Sequence, residues 1–153
     1  MLGRTMMLVL AATAAANVGT RAHPYKLGAL AHTDGFAIHV VGVDRSAAPG
    51  GRRPQAGRND VLVTIKATNQ AKFEGIPFVD GALGAIDPAG LEYSSLARSC
   101  GTIAGDVSTI DPVPPGATVT VHTCWQVAGF DAKTIVMFYA PYDGARPTYF
   151  ALR

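Results

Sequence analysis

The chain has 153 residues, which suits one domain with one hydrophobic core, and its 13 basic side chains nearly balance its 11 acidic ones. This balance excludes the overall basicity that attracts nucleic acid. Val, Thr, Gly and Pro are frequent and no long segment has a helical period, so the composition predicts an all-β domain.

The N-terminal segment has the three-part pattern of a signal peptide. Arg4 precedes an apolar run over Met6–Ala16, and small residues then offer cleavage after Ala14, Ala16 or Ala22. A membrane-spanning helix needs about 20 apolar residues, and this run is about half that length. The pattern therefore predicts an exported protein with no membrane span, with an uncleaved interfacial segment as the alternative.

A leader over residues 1–22 would leave a mature domain over residues 23–153. The leader holds Arg4 and Arg21 and no acidic residue, so the mature domain would carry equal numbers of basic and acidic side chains. No cysteine lies near the leader to carry a lipid anchor. We therefore expect a secreted protein, whether or not it then stays on the cell envelope.

Alternating apolar residues predict two core strands, Gly35–Asp44 and Asp60–Thr68. The inward residues of the second strand are expected to be Val61, Val63, Ile65 and Ala67. Those of the first are expected to be Phe36, Ile38 and Val40, with Ala37, His39, Val41 and Val43 on the opposite face. The segment between the strands, Ser46–Asn59, is rich in Pro and Gly, which cannot sustain a ladder, so a long hairpin loop is expected.

Further along, a hairpin is expected from Gly81–Ile86 and Leu91–Leu96. Asp87, Pro88 and Gly90 suit the turn between the two strands. Proline fixes φ at the second turn position, and the aspartate at the first position accepts a backbone hydrogen bond.

The strand expected over Ala117–Val127 sets the orientation of two informative side chains. Its alternation places Trp125 with Val121 towards the core, and Cys124 with His122 on the opposite face. A one-residue slip of this strand would exchange the two sets.

Two short strands, Thr134–Ala140 and Thr148–Leu152, are expected to close the chain. The total is about seven short strands, separated by Pro and Gly turns and each with an alternating apolar face. This arrangement favours an immunoglobulin-like β-sandwich.

Several segments together resemble a known family. They are Val61–Asn69 (VLVTIKATN), Leu91–Tyr93, Arg98–Cys100, Pro115–Val119, Cys124–Val127 and Phe150–Arg153. They are similar to small secreted actinobacterial proteins of unknown function, akin in fold to the mycobacterial immunoprotective extracellular antigens. The resemblance extends over most of residues 25–153. It implies an immunoglobulin-like sandwich outside the cell, and it brings no catalytic residue.

Cys100 and Cys124 are the only cysteines, and in an exported protein they are expected to form a disulfide. The bridge would close about 25 residues and stabilise the fold by about 3.5 kcal/mol on the loop-entropy model. Because Trp125 follows the second cysteine and Cys124 is predicted to face outward, the core bridge of antibody domains is not expected. The bridge is expected to tie a loop to the outer face of a sheet.

The four histidines raise the alternative of an exported copper-binding protein. Cleavage after Ala22 would make His23 the first residue, whose amine and imidazole could hold copper together with a second imidazole. The candidates for that second ligand are His32, His39 and His122, and the alternative metal site pairs His23 with His122. The simpler interpretation is that all four are ordinary loop and strand residues, with no metal bound.

No enzyme active site is expected. The chain has no Gly-x-Ser-x-Gly motif, and Ser94, Ser95 and Ser99 have no identifiable base. The acidic residues are dispersed among turns without the spacing of a calcium loop. The sequence therefore predicts no catalytic residue and no cofactor.

Three arginines of the long loop, Arg52, Arg53 and Arg58, form the first candidate binding region. They could contact an acidic cell-wall polymer or a lipid headgroup. A solvated loop tip is the simpler interpretation.

The strand expected over Thr134–Ala140 gives the second candidate, because it is apolar on both faces. Phe138 and Tyr142 mark its outer side, which a loop, a second copy of the chain or a partner must cover. Coverage by the disulfide-tied loop or by Phe73–Phe78 is the simpler expectation.

These features together predict a secreted, non-enzymatic domain that binds an unknown protein or cell-wall component, with a homodimer as one arrangement.

Overall fold

The computed structural model describes residues 17–78, 82–94, 100–142 and 144–153. Within them the chain forms eight β-strands and no α-helix. The strands are Leu30–His32 (β1), Phe36–Asp44 (β2), Arg58–Asn69 (β3), Leu83–Ile86 (β4), Glu92–Ser94 (β5), Thr118–Ala128 (β6), Val136–Tyr139 (β7) and Thr148–Ala151 (β8). Two four-stranded antiparallel sheets result, in the orders β1-β2-β3-β6 and β5-β4-β7-β8, which confirms the predicted all-β sandwich.

The longest ladder of the first sheet joins β3 to the edge strand β6. Its inward pairs are Val61 with Trp125, Val63 with Thr123 and Ile65 with Val121. All six side chains are buried, as the alternation of the two strands predicts. Full burial of one such apolar side chain contributes about 1.5–3 kcal/mol, so this ladder is a large part of the core.

The predicted orientations of Trp125 and Cys124 are confirmed. Trp125 belongs to the core cluster, whereas Cys124 lies on the outer face of β6, opposite Leu62 of β3. The register of β6 is therefore the expected one.

A β-bulge at Val41 interrupts the alternation of β2. Val40 pairs with Ile65 and Gly42 with Thr64, so Val41 is an extra residue in this ladder. The shift brings Val43 onto the core side, where it packs against the buried cluster, while Val41 is exposed. The expectation that Val41 and Val43 share a face is therefore wrong.

A wedge of aromatic rings joins the two sheets. Phe78, from the connection between β3 and β4, packs edge-on against Phe36 of β2 with ring centroids 5.0 Å apart. Its other side stacks on Tyr139 of β7 at 5.6 Å. Phe78, the end of the segment expected to cover β7, thus packs in the core between the two sheets.

The turn between β4 and β5 forms as predicted. The amide of Gly90 donates to the carbonyl oxygen of Asp87 (3.1 Å). Oδ1 of Asp87 also accepts from the amide of Leu91 (2.8 Å). Of the predicted ends of this hairpin, Gly81, Ser95 and Leu96 lie outside the described residues.

The structure differs from expectation in one added strand and in several strand boundaries, of which the start of β3 matters most for the site. The three-residue strand β1 was not predicted, because a segment this short shows no measurable period. Arg58 and Asn59 belong to β3 and not to the loop before it, since β6 extends to Ala128 and pairs with both. The long loop itself is present, with one short 3-10 turn at Pro49–Gly51.

Residues 19–25 run along the edge of β8 that faces away from β7. The amide of Tyr149 donates to Gly19 (2.8 Å), and the amide of Tyr25 donates to Tyr149 (2.9 Å). The leader boundary at Ala22 stays a prediction, although this segment crosses it. In the described part of the chain, no helix has the length and apolar character needed to cross a membrane.

Candidate functional site

A polar cleft at one edge of the sandwich is the strongest candidate for a ligand site. It lies where β6, an edge strand of the first sheet, comes beside β5, an edge strand of the second. Its volume is about 330 Å³, at the lower end of the range of small-molecule sites. The cleft is lined by Gln55, Arg58, Glu92, Tyr93, Ser94, Trp125 and Gln126.

The start of β3 brings a positive charge to the cleft. The amide of Arg58 donates to the carbonyl oxygen of Gln55 (3.0 Å), which closes the turn that leads into the strand. Glu92 of β5 contributes a carboxylate to the opposite wall. Both side chains are exposed, so the cleft offers solvent one group of each sign.

Behind the wall of the cleft lies a buried carboxylate. Asp60 is 1% exposed, and its Oδ1 accepts a hydrogen bond from Nε2 of Gln126 (3.1 Å), its cross-strand neighbour. Oδ2 of Asp60 has no hydrogen-bond partner. A buried polar atom left unpaired costs about 1–3 kcal/mol.

The indole of Trp125 also has a buried polar atom without a hydrogen-bond partner. Trp125 lines the cleft although the residue is nearly buried, and its Nε1 has no acceptor. Trp125 and Gln126 are consecutive in β6 and point to opposite faces of the first sheet, so the indole donor and the Asp60 carboxylate, which is bonded to Gln126, lie on opposite faces. Of the two groups, only Trp125 lines the cleft, and a hydrogen-bond acceptor on a molecule there is the kind of group that pairs with its N–H.

Tyr93 fixes the far side of the cleft. Its hydroxyl donates to Oδ2 of Asp131 (3.3 Å), in the connection after β6. Burial of the ring, and then the neighbouring Asp131 carboxylate, raise the pKa of Tyr93 above its ordinary value of 10.0. The hydroxyl therefore stays protonated at physiological pH and acts as a neutral donor.

The predicted disulfide is confirmed. Cys100 and Cys124 are bonded, with their Cα atoms 6.1 Å apart. The segment that follows Cys100 lies along β6, where the amide of His122 donates to the carbonyl oxygen of Gly105 (2.8 Å). The bridge therefore ties a loop to the outer side of the first sheet, beside and not within the core.

The three loop arginines lie in different surroundings. Arg58 lines the cleft, whereas Arg52 packs beside Gly101, whose Cβ position lies 3.7 Å from the Arg52 side chain. Arg53 is exposed and does not line the cleft. The first residue of β3 thus contributes the one arginine of the cleft, and the loop before it contributes Gln55.

Phe138 and Tyr142 lie away from the cleft. The ring of Phe138 lies over Gly84 of the neighbouring strand and is half-buried, with the ring of Tyr149 5.9 Å away. Tyr142 is 73% exposed in the connection between β7 and β8. Phe138 and Tyr149 both remain partly exposed, so a partner surface on this face stays a prediction.

The histidines have separate partners. Nδ1 of His122 is hydrogen-bonded to Oγ1 of Thr64 (3.1 Å), and Nδ1 of His32 to the side-chain amide of Gln70 (2.9 Å). The backbone amide of His23 donates to Oγ1 of Thr20 (3.2 Å). Among the described residues, no group of three or more His, Cys, Asp or Glu side chains is placed to hold a metal ion.

Comparisons with known proteins support the fold class. No protein-family model matches the chain, and no curated protein does either. The yjhA protein from Bacillus subtilis is a similar solved structure, with a TM-score of 0.62 at 14% identity over 84% of this chain and 99% of the other.

Two further solved structures are similar. A conserved hypothetical protein from Bacillus anthracis has a TM-score of 0.53 at 14% identity, over 82% of this chain and 94% of the other. An uncharacterized β-sandwich protein from Clostridium difficile has a TM-score of 0.51 at 14% identity, over 85% and 95%. At this identity the likeness shows the fold and nothing about a ligand.

Proposed function

We propose that this protein is an exported, non-enzymatic binding domain that holds a neutral saccharide of the cell envelope in the cleft between β5 and β6. The observation that carries the proposal is the cleft itself, whose lining is mostly polar and holds an unpartnered indole donor on Trp125. A sugar hydroxyl can accept from this N–H and donate to a neighbouring polar group of the cleft, so a saccharide is the ligand class that fits.

The charges at the mouth of the cleft favour the same class. Arg58 and Glu92 carry opposite charges, which partly cancel at the mouth of the cleft. A strongly charged ligand would therefore gain little electrostatic binding energy. Gln55 and Gln126 add amide groups, which are two-way hydrogen-bonding partners for hydroxyls. The small volume suits one or two sugar units and excludes a large apolar ligand.

Export is the second part of the proposal. The apolar leader, the disulfide between Cys100 and Cys124, and the resemblance to secreted actinobacterial proteins support it. Mass spectrometry of the culture medium and the washed cell envelope from the native host tests the location.

Ligand binding can be read from the single tryptophan. Trp125 lines the cleft and is the only indole in the chain, so its fluorescence reports on occupancy without a label. We expect a saturable change when the purified protein is titrated with at least one of chitobiose, maltose or lactose. Arg58→Ala should weaken the response about tenfold or more, the equivalent of one charge-assisted hydrogen bond.

The control is Arg53→Ala, which removes the same charge from the loop that precedes β3, away from the cleft. It should leave the titration unchanged. The saccharide proposal fails if none of the three disaccharides gives a saturable response, or if both arginine variants weaken it equally.

A further inference from the structure

The segment from Asn17 to Tyr25 forms an integral part of the second sheet. Three backbone hydrogen bonds join it to β8. The amide of Tyr149 donates to the carbonyl oxygen of Gly19 (2.8 Å), and the amide of Tyr25 donates to that of Tyr149 (2.9 Å). The amide of Ala151 in turn donates to the carbonyl oxygen of Tyr25 (2.7 Å). These bonds occupy the edge of β8 that would otherwise be open. An open edge strand invites pairing with other chains, so the segment has a protective as well as a packing role.

A tight turn inside the segment is built around Gly19. Its amide donates to the carbonyl oxygen of His23 (2.8 Å), and the amide of His23 donates back to Thr20 (3.1 Å). Gly19 has φ of +92°, and a Cβ there would lie 2.8 Å from the ring of Tyr25. Only glycine fits this position, which shows that the turn is a defined structure and not a trailing end.

Side chains fasten the same segment at two further points. Nη2 of Arg21 donates to the carbonyl oxygens of Asp87 (2.9 Å) and Pro88 (3.1 Å), in the turn between β4 and β5. The ring of Tyr25 stacks on Phe150, with centroids 5.8 Å apart. Arg21 therefore links the covered edge of β8 to the β4–β5 turn, across the outer side of the sheet.

Cleavage after Ala22 would remove Gly19 and Arg21 from the domain. It would leave the amide of Tyr149 without its partner and would open both ends of the Gly19 turn. A cleavage site upstream is available in the same chain: Ala14 and Ala16 stand at the two small-residue positions of an Ala-x-Ala site, whereas the equivalent pair for Ala22 is Thr20 and Ala22.

We infer that export processing takes place in the alanine run at residues 14–16, and that residues 17–22 remain in the mature protein as the cover of the β8 edge. This inference rests on the export part of the proposed function, and it is independent of the saccharide. It also removes His23 from the mature N-terminus.

The test is the N-terminal residue of the secreted protein, measured by mass spectrometry for three chains. They are the wild type, the double variant Ala14→Tyr with Ala16→Tyr, and the single variant Ala22→Tyr. A bulky side chain at the position before the cut blocks signal peptidase. We expect the wild type and Ala22→Tyr to begin at Ala15 or Asn17, and the double variant to accumulate as unprocessed precursor.

A secreted wild type that begins at His23 would overturn the inference and leave export intact. A chain that retains Met1 would overturn the inference together with the export proposal. The two failures are therefore distinguishable.

A second measurement tests the structural role without reference to export. Oxidised proteins that begin at Asn17 and at His23 are compared by amide hydrogen exchange. Protection of the Tyr149 amide should fall about tenfold or more in the shorter chain, because its acceptor on Gly19 is absent. The Ala151 amide is the internal control, since its acceptor Tyr25 is present in both chains. Equal protection of Tyr149 in the two proteins would contradict the role of the segment.

Discussion

Gly84 shows how one missing side chain shapes the outer face of the second sheet. Cε1 of Phe138 lies only 2.7 Å from the position that a Cβ on Gly84 would occupy, so the phenyl ring rests directly on the backbone of β4. Gly84→Ala should therefore destabilise the protein by about 1–3 kcal/mol through overpacking, as measured by urea denaturation.

Phe138→Ala supplies the matching arm of a double-mutant cycle. If the cost of Gly84→Ala comes from the ring, it should largely disappear when Phe138 is already alanine. A cost that persists in that background would place the strain elsewhere in the ladder.

Tyr93 gives a prediction about alkaline pH. Burial and the Asp131 carboxylate raise the pKa of Tyr93 in the folded protein above that of the unfolded chain. The folded state therefore holds this proton more tightly, and the stability that Tyr93 contributes is fully present below about pH 10 and declines as the pH rises through the folded pKa. Tyr93→Phe should flatten this part of the stability profile between pH 9 and 12, and an unchanged decline would assign it to other groups.

The disulfide acts at the scale of elements, since it joins the loop after β5 to β6 across a sequence separation of 24 residues. The double variant Cys100→Ser with Cys124→Ser should lose up to about 3.5 kcal/mol of unfolding free energy. Chemical denaturation followed by circular dichroism measures the loss. The wild type under reducing conditions should match the variant; a reduced wild type as stable as the oxidised protein would show that the bridge contributes nothing.

Strands were predicted correctly where apolar and polar residues alternate over a long segment. β3 and β6 have such patterns, and the buried faces of Val61, Ile65 and Trp125 are the expected ones. The bulge at Val41 shows in the sequence only as a change of phase, since the inward residue after Val40 is Val43 and not Gly42; because Val41 is also apolar, the same residues could be assigned to the opposite face. β1 is too short to show a period at all.

The cleft could not be predicted for a different reason. Arg58 and Trp125 are far apart in sequence, and only the meeting of β5 with β6 brings Glu92 and Tyr93 to them. An aspartate at the start of a strand, such as Asp60, is usually interpreted as a turn residue, and its burial depends on this tertiary arrangement.

At the scale of the whole molecule, the two edges of the sandwich have different uses. Residues 19–25 cover β8, and His32 lies on the same side, where it lines a groove with Tyr25 and Thr148. The cleft lies on the opposite side, between β5 and β6. One side is thus closed by the chain itself, and the other holds the candidate ligand site.

This arrangement also separates the two histidines of the copper alternative. His23 lies in the segment along β8, whereas His122 lies on β6, at the other edge of the sandwich and hydrogen-bonded to Thr64. A copper site would need both imidazoles and the His23 amine on one metal, at about 2 Å from each nitrogen.

We therefore expect that titration of the secreted protein with Cu(II), followed by calorimetry, will give no tight one-to-one site that depends on His23. The variants His23→Ala and His122→Ala should behave as the wild type does. A submicromolar site lost in both variants would require the two edges to meet, and would establish copper binding in place of the saccharide proposal.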